Sequence, residues 1–443
     1  MKKFIIEQSD DEFYTSHSGL ALIGLCINRY SGLPQQIARK MTKGQDKISH
    51  ADIVRSMLGL LCLGKSDFEA VSAMRDDDYF KQSLGISNVA SPERLRQRLD
   101  ENAQTLLPIA EDCSVAMLKN GEVPVTALDT GHVPLDADVF PMDNSNTKKE
   151  GVSRTYHNYH GYAPIAAYLG LEGWCLGVEL RPGCQHSQEG FVPYLNRVID
   201  RARILTTKKL LVRLDSAHDA LETRLALRGR EKVSYIIKWN PRREDTGELC
   251  ARAFAEGAVT QPRPGKRVAL LTIRKNQEHE GQAYVFTKVV RVTERRIDKR
   301  GQVLLASEVT VEGWWTNLDL PEQKIIKLYE NHGLSEQFHS EFKSDLDLER
   351  LPSGKFATNA LIMALGSFAY NILRLIGQLG LLGDYSPVRH PAKRRRLKTV
   401  IQELIYLAAR LVSTGRRLRL RFSRHCPGFE AFSWVYARLS ATA

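Results

Sequence analysis

The sequence lacks long apolar runs. Nowhere do 18 apolar residues follow one another, so no stretch reads as a membrane-spanning helix. It also lacks any C-x-x-C pair, and its seven cysteines are odd in number. Neither a disulfide framework nor a zinc ribbon is expected, and the thiols should be reduced. Met1-Lys2-Lys3 meets acids too soon to begin a signal peptide, so a cytoplasmic protein without a membrane partner is expected. The last fifty or so residues lack acid. From Pro391 to Ala443 only Glu403 and Glu430 oppose twelve basic side chains, so this tail carries +10 of the chain's +12. Lys393, Arg394, Arg395, Arg396, Arg416 and Arg417 are its densest points. Such a concentration marks an anionic partner, most often nucleic acid, although a solvated face has the same composition.

The first 120 residues carry helical signals. Ser49 precedes Ile53, Val54, Met57, Leu58 and Leu61 at helical spacing, and Ser66-Asp67-Phe68-Glu69 has the form of a capping box. Ser91-Pro92 opens a further helix with Leu95 and Leu99 inward and Arg94, Arg96 and Arg98 outward. A glycine turn at Leu84-Gly85-Ile86 makes this a candidate DNA-binding helix-turn-helix, a pattern also common in plain helical packing.

From Val123 to Asn240 short apolar runs alternate with helical patterns. Strands are expected at 133–140, 162–169, 174–180, 209–217 and 233–239, with helices at 188–203 and 219–228. Three strands, then helix, strand, helix, strand is the order of an RNase H-like fold. Asp136 and Asp138 share one face of the first strand, and Asp215 ends the fourth. Asp215 by itself fits a helix N-cap as well as a ligand. An acid within a buried strand needs a partner or a cation. Carboxylates gathered there would suit Mg²⁺ or Mn²⁺ rather than zinc. Residues 241–317 then read as a β-rich insertion, with β-branched runs at 268–273, 282–292 and 303–311. Trp314-Trp315 close it, either as core residues or as a platform for a displaced base.

The stretch from Leu328 to Leu346, LYENHGLSEQFHSEFKSDL, reads as one amphipathic helix. At about 100° per residue, Tyr329, His332, Glu336 and Lys343 fall within roughly 60° of arc, with Phe338, Phe342 and Leu346 opposite. Glu341 lies about 140° from Glu336 and is expected to be a bystander. A carboxylate between a phenol, an imidazole and an ammonium is a place for a metal and a phosphodiester. Residues 359–379 form an apolar helix backing the core, and the tail is expected to be an ordered basic module.

The spacing Tyr-x2-His-x3-Glu-x6-Lys resembles the Y-x2-R-x3-E-x6-K signature of DDE transposases from bacterial insertion sequences, with His332 at the usual arginine. The blocks LDADVFPMDNSNTKKEGVSRTYHNYHGYAPIAAYLG, ELRPGCQHSQEG and LVRLDSAHD, with that helix, resemble the insertion-sequence 1380 family. The resemblance implies a catalytic and metal-binding set of Asp138, Asp215 and Glu336. Asp136 is the close alternative to Asp138, and Asp129 and Asp143 are more distant ones. Two divalent cations, Mg²⁺ or Mn²⁺, would serve cleavage at the element's ends and joining of the freed 3′-hydroxyl to target DNA. Tyr329, His332 and Lys343 would position the phosphate. The partners implied are transposon-end and target DNA and a second copy of the chain. The division expected is a helical 1–120, a core in two parts at 121–240 and 318–383 around the 241–317 insertion, and a basic 384–443. A nuclease that cuts without joining, or a DNA-binding protein that has lost its activity, are the alternatives.

Overall fold

In the computed structural model, residues 3–9, 11–41, 47–242, 244–298, 300–388, 390–415 and 417–441 are described, except for the side chains of 332, 334 and 335. A short strand, β1 (Phe13–Thr15), precedes a helical region containing α1 (His50–Cys62) and α2 (Pro92–Asn120). Both helices begin where the sequence caps them. Ser49 Oγ accepts from Asp52 N at 3.0 Å and Ser91 Oγ from Arg94 N at 3.3 Å, with Pro92 at the first helical position. The candidate recognition helix is a 29-residue core element packed along the later helix Phe356–Gly380. Arg98, expected at its surface, is buried against the His50 ring, 3.1 Å from Nδ1. The outward face is narrower than a short helix would allow because packing continues along its whole length.

The central strands are β2 (Val133–Val139), β3 (Ile165–Leu169), β4 (Trp174–Glu179), β5 (Leu210–Leu214) and β6 (Val233–Lys238). Helix α3 (Phe191–Leu205) connects β4 to β5, and α4 (Leu221–Arg228) connects β5 to β6. β2 runs antiparallel to β3 and parallel to β5; β3 pairs antiparallel with β4, and β5 parallel with β6. Each lies within three residues of its expected position, because buried apolar runs bounded by polar turns have few other solutions.

A helix not anticipated from the sequence follows, α5 (Thr246–Glu256), capped by Asp245. The strands β7 (Ala258–Arg263), β8 (Lys266–His279), β9 (Gln282–Ile297) and β10 (Val303–Thr316) then form an antiparallel meander. They are longer than their apolar runs, since ladder pairing carries polar alternating positions along with it. Trp314, Trp315 and Thr316 pair antiparallel with β6, so the meander continues the central sheet. The full order is β7-β8-β9-β10-β6-β5-β2-β3-β4. Both tryptophans are buried, which makes them core residues and not a stacking platform.

Alternation along β5 divides the molecule into two layers. Leu210, Val212 and Leu214 join the large core, which runs from Leu20 to Leu439. Leu211 faces the other way and, with Ile236, meets Ile325, Ile326 and Leu328 of α6 (Glu322–Glu330). After α6 the expected single helix breaks into a 3-10 turn at Asn331–Leu334, a short helix at Ser335–Ser340 and a π-turn at Glu341–Asp345. Asn331 and Gly333 are residues that favour helix ends, and they stand at the break.

Helix α7 (Phe356–Gly380) is, among the described residues, the one helix long and apolar enough to cross a membrane; 94% of its apolar window is buried inside the protein. The tail is ordered. β11 (Ala409–Thr414) and β12 (Arg417–Phe422) form a small sheet with β1, backed by α8 (Phe429–Ala441).

Glu341, expected to be a bystander, is fully buried and ion-paired with Arg374 of α7; its second oxygen accepts from Leu397 N at 3.2 Å. The same guanidinium donates to Tyr370 Oη at 2.7 Å and to the Arg395 carbonyl at 2.7 Å. The π-turn rotated this residue inward. Glu341→Gln should therefore destabilise the protein by about 3–5 kcal/mol, since it leaves a buried guanidinium without its countercharge. Urea unfolding would measure this, and Arg374→Met added to the same chain should recover part of the loss. A cost below about 1 kcal/mol would mean that the pair does not hold the π-turn against α7.

Candidate active site

On β2 and β5 the last paired residues are Ala137 and Leu214. One step further along these parallel neighbours come Asp138 and Asp215, side by side at the same end of the sheet and on the same face. Both are partly exposed. Asp138 Oδ1 accepts from Val139 N at 2.8 Å, and Asp215 Oδ1 accepts from Ala217 N at 3.2 Å, capping the turn Ser216–His218. Asp215 is thus a cap and a mouth carboxylate at once.

Asp136 is on the same face but two residues deeper, and it is buried. Its partner across the ladder is Arg213, which binds it in a fork: Nε to Oδ1 at 2.7 Å and Nη2 to Oδ2 at 2.6 Å. The remaining arm, Nη1, donates to the Leu328 carbonyl near the end of α6 at 2.8 Å. Asp138 therefore stands at the mouth and Asp136 beneath it. The more distant alternatives lie elsewhere. Asp129 precedes the opposite end of β2. Asp143 accepts from Ser145 N at 2.8 Å, and hydrogen bonds from Ser145 hold its carboxyl below the usual range.

Tyr329, next to the Leu328 carbonyl, reaches the carboxylates. Burial raises its phenol pKa, and the charges of Asp215, Asp138 and Asp136 raise it further, so it stays protonated at neutral pH. Its ring packs 6.2 Å from Trp314. Glu336 is exposed on the short helix Ser335–Ser340. Among the described residues no three His, Cys, Asp or Glu side chains come close enough to hold a metal ion, so Glu336 is not gathered with the aspartates. The cause is the 3-10 turn at Asn331–Leu334, which breaks the angular phase that an unbroken helix would keep.

The model for the transposase DDE domain group 1 matches residues 4–443. The chain belongs to this family of DDE transposases. No curated protein matches it. Among solved structures the chain is similar to the piggyBac transposase in its synaptic complex with hairpin DNA, at 10% identity. That match covers 90% of this chain and 82% of the other, with a TM-score of 0.40.

Other residues of this transposase singled out by the sequence take different positions. Lys343 is 3.2 Å from Glu349, whose other oxygen accepts from Asp143 N at 2.7 Å. The His332 side chain and Arg416 lie outside the described residues. Lys393 and Arg417 are exposed. Arg394, Arg395 and Arg396 are not a free basic run. Arg394 lies 4.5 Å over the Phe338 ring and donates to the Leu171 carbonyl and Gln337 Oε1. Arg395 donates to the carbonyls of Leu381, Val388 and His390, and Arg396 grips Asp345 with both arms. The guanidinium donors of Arg394 and Arg396 tie the tail to the segment after Glu336, and those of Arg395 tie it to the end of α7 and the loop that follows.

Three residues at the site were not anticipated. Arg213 was visible as an arginine inside an apolar strand, two positions before Asp215. Tyr156 lies in the block RTYHNYH; its phenol pKa is raised by burial and then by Asp138 and Asp215, and Oη is 3.4 Å from the Val139 carbonyl. His218 is buried, stacked on Phe191 at 3.9 Å and 3.8 Å from Asp215 Oδ1. Burial first, then Arg181 and His186, push its pKa down to about 3, so it is neutral.

Two outcomes follow from this geometry. Asp136→Asn should cost about 3–5 kcal/mol by stranding the Arg213 guanidinium, whereas Asp138→Asn at the mouth should change stability by about 0.5 kcal/mol or less. Chemical denaturation of both variants checks the difference, and the reverse order would place the two aspartates wrongly. Separately, His218 binds its proton more weakly when folded than when unfolded. Its contribution is therefore present above the ordinary histidine pKa of about 6.5 and is lost as pH falls from there towards 3. His218→Phe should flatten the decline of Tm across that window; an unchanged difference between the two proteins from pH 7 to 4 would refute a neutral buried imidazole.

Proposed function

We propose that this transposase, of the bacterial insertion-sequence 1380 kind, cleaves DNA at the ends of its element and joins the freed 3′-hydroxyl to target DNA. The observation that carries this is the pair Asp138 and Asp215, side by side at the ends of neighbouring parallel strands. In strand order β4-β3-β2-β5-β6, with the first three antiparallel and the last two parallel to β2, the central sheet supports an RNase H-like core carrying the β7–β10 meander as an insertion.

Two adjacent, partly exposed carboxylates offer hard oxygen donors, which fit Mg²⁺ or Mn²⁺, since Mg²⁺ is commonly held by one or two carboxylates together with a substrate phosphate. Asp138 and Asp215 would hold such a cation, and Glu336 would complete the set after a change in the Asn331–Leu334 turn. Bound there, divalent cations would supply Lewis-acid activation and offset charge on the phosphodiester. The chain's own groups do the rest. Tyr329, kept protonated, donates a hydrogen bond to a phosphate oxygen, and Tyr156 flanks the carboxylates at the end of β2. His332 and Lys343 supply positive charge nearby when Lys343 exchanges Glu349 for phosphate. Lys393 and the exposed arginines of β12, Arg417, Arg419 and Arg421, contact DNA backbone. The working form is a homodimer holding two DNA ends, and it acts in the cytoplasm.

In single-turnover reactions with Mg²⁺ on DNA carrying the element's ends, Asp215→Ala should abolish cleavage and joining while DNA affinity stays within a few-fold. Glu336→Gln should lower cleavage by orders of magnitude. Cleavage by Asp215→Ala at the parental rate would refute the assignment of the site. Full activity in Glu336→Gln alone would show that the aspartates work with a different third ligand.

A further inference from the structure

Alongside α6 runs a groove that the reaction at Asp138 and Asp215 does not use. Its first part, about 510 Å³, lies between α6 and the loop before β2 and includes Asp129, Lys324, Lys327, Asn331 and Lys393. Its second part, about 380 Å³, shares Thr130 and Lys324 with the first and continues to Lys209 and Asp319. Lys209 precedes β5 at the end of the sheet opposite Asp215. α6 packs on the face that carries Leu211, which by alternation is also the face of Arg213, Asp138 and Asp215. The groove therefore starts beside Tyr329, where α6 ends, and leads away from the carboxylates along the same side of the sheet.

Its charge differs from that of the Arg394–Arg396 run. Many of the arginines are bonded internally, as the Arg394–Arg396 run illustrates. Among the described residues Lys209, Lys324, Lys327 and Lys393 make no ion pair, and all four are exposed. Against them the lining sets only Asp129 and Asp319, so the groove is net positive by two. Lysines are compact charges on flexible stems, suited to phosphates whose positions vary. The nine residues of α6 span about 13 Å, roughly four nucleotide rises of a DNA strand.

We propose that this groove is a second DNA-backbone site, which takes the stretch of DNA continuing beyond the phosphodiester held at Asp138 and Asp215. The inference rests on the reading of those aspartates as the reacting centre, but its test does not depend on catalysis. Lys324→Glu/Lys327→Glu in the full chain reverses two exposed charges that no described group pairs, and unchanged thermal unfolding would show that the fold is kept. Binding to a mixed-sequence duplex of about 40 base pairs is followed by fluorescence anisotropy over a range of NaCl concentrations, with Lys119→Glu at the end of α2 as the control. Losing two phosphate contacts should reduce the log–log salt slope by about 1.8 and weaken binding about tenfold or more near 100 mM salt. A slope and affinity equal to those of the control would overturn the proposal. Asp215→Ala measured in parallel keeps the two ideas apart. Loss of cleavage in that variant with normal binding by the lysine variant would sink the groove alone, and the converse would sink the catalytic assignment alone.

Discussion

The buried fork between Asp136 and Arg213 is the contact on which the site depends. It joins β2 to β5 across the parallel ladder, and its third arm takes the carbonyl of Leu328. One guanidinium thereby sets three elements against one another, directly below the two mouth aspartates and beside Tyr329. Burying both charges has a desolvation cost, and a pair of this kind contributes definition more than stability. A hydrophobic pair could pack the same space, yet it would leave the last turn of α6 without a directional tie to the sheet.

The same economy governs the positive charge. A formal +12 suggests a surface made for a polyanion, but much of it is spent inside the molecule. Arg374 holds Glu341, Arg396 holds Asp345, and Arg394 covers Phe338. These contacts surround the segment from Ser335 to Asp345 and fix the irregular chain that follows α6. The basic side chains that remain exposed include those of β12 and of the α6 groove.

How legible this was varied with the physics involved. The strands β2 to β6 were readable because a buried apolar run admits few alternatives, and Asp215 was readable because it ends such a run before a capped turn. Helix phase was less secure. Reading Tyr329 to Lys343 as one stripe assumed an unbroken 100° per residue, while Asn331 and Gly333 permitted a 3-10 turn and the stretch from Glu341 wound as a π-turn. The result turned Glu341 into the core and left Glu336 exposed. The internal bonding of Arg394, Arg395 and Arg396 was hidden for a different reason. Composition counts charges but cannot say which carbonyls and carboxylates will consume them.

By itself the sequence determined the strand and helix order of the core, the β character of most of residues 241–317, membership among the DDE transposases and the presence of acids at strand ends. All of these depend on local pattern: apolar period, caps and the order of blocks. Tertiary structure alone decided that Asp136 is a buried partner and Asp138 a mouth residue, since the two share one face and differ only in depth beside Arg213. It alone decided that the meander extends the central sheet, through three residues of β10 paired with β6. Each of those outcomes turns on a contact between residues distant in the chain, and no local pattern encodes which distant group will be there.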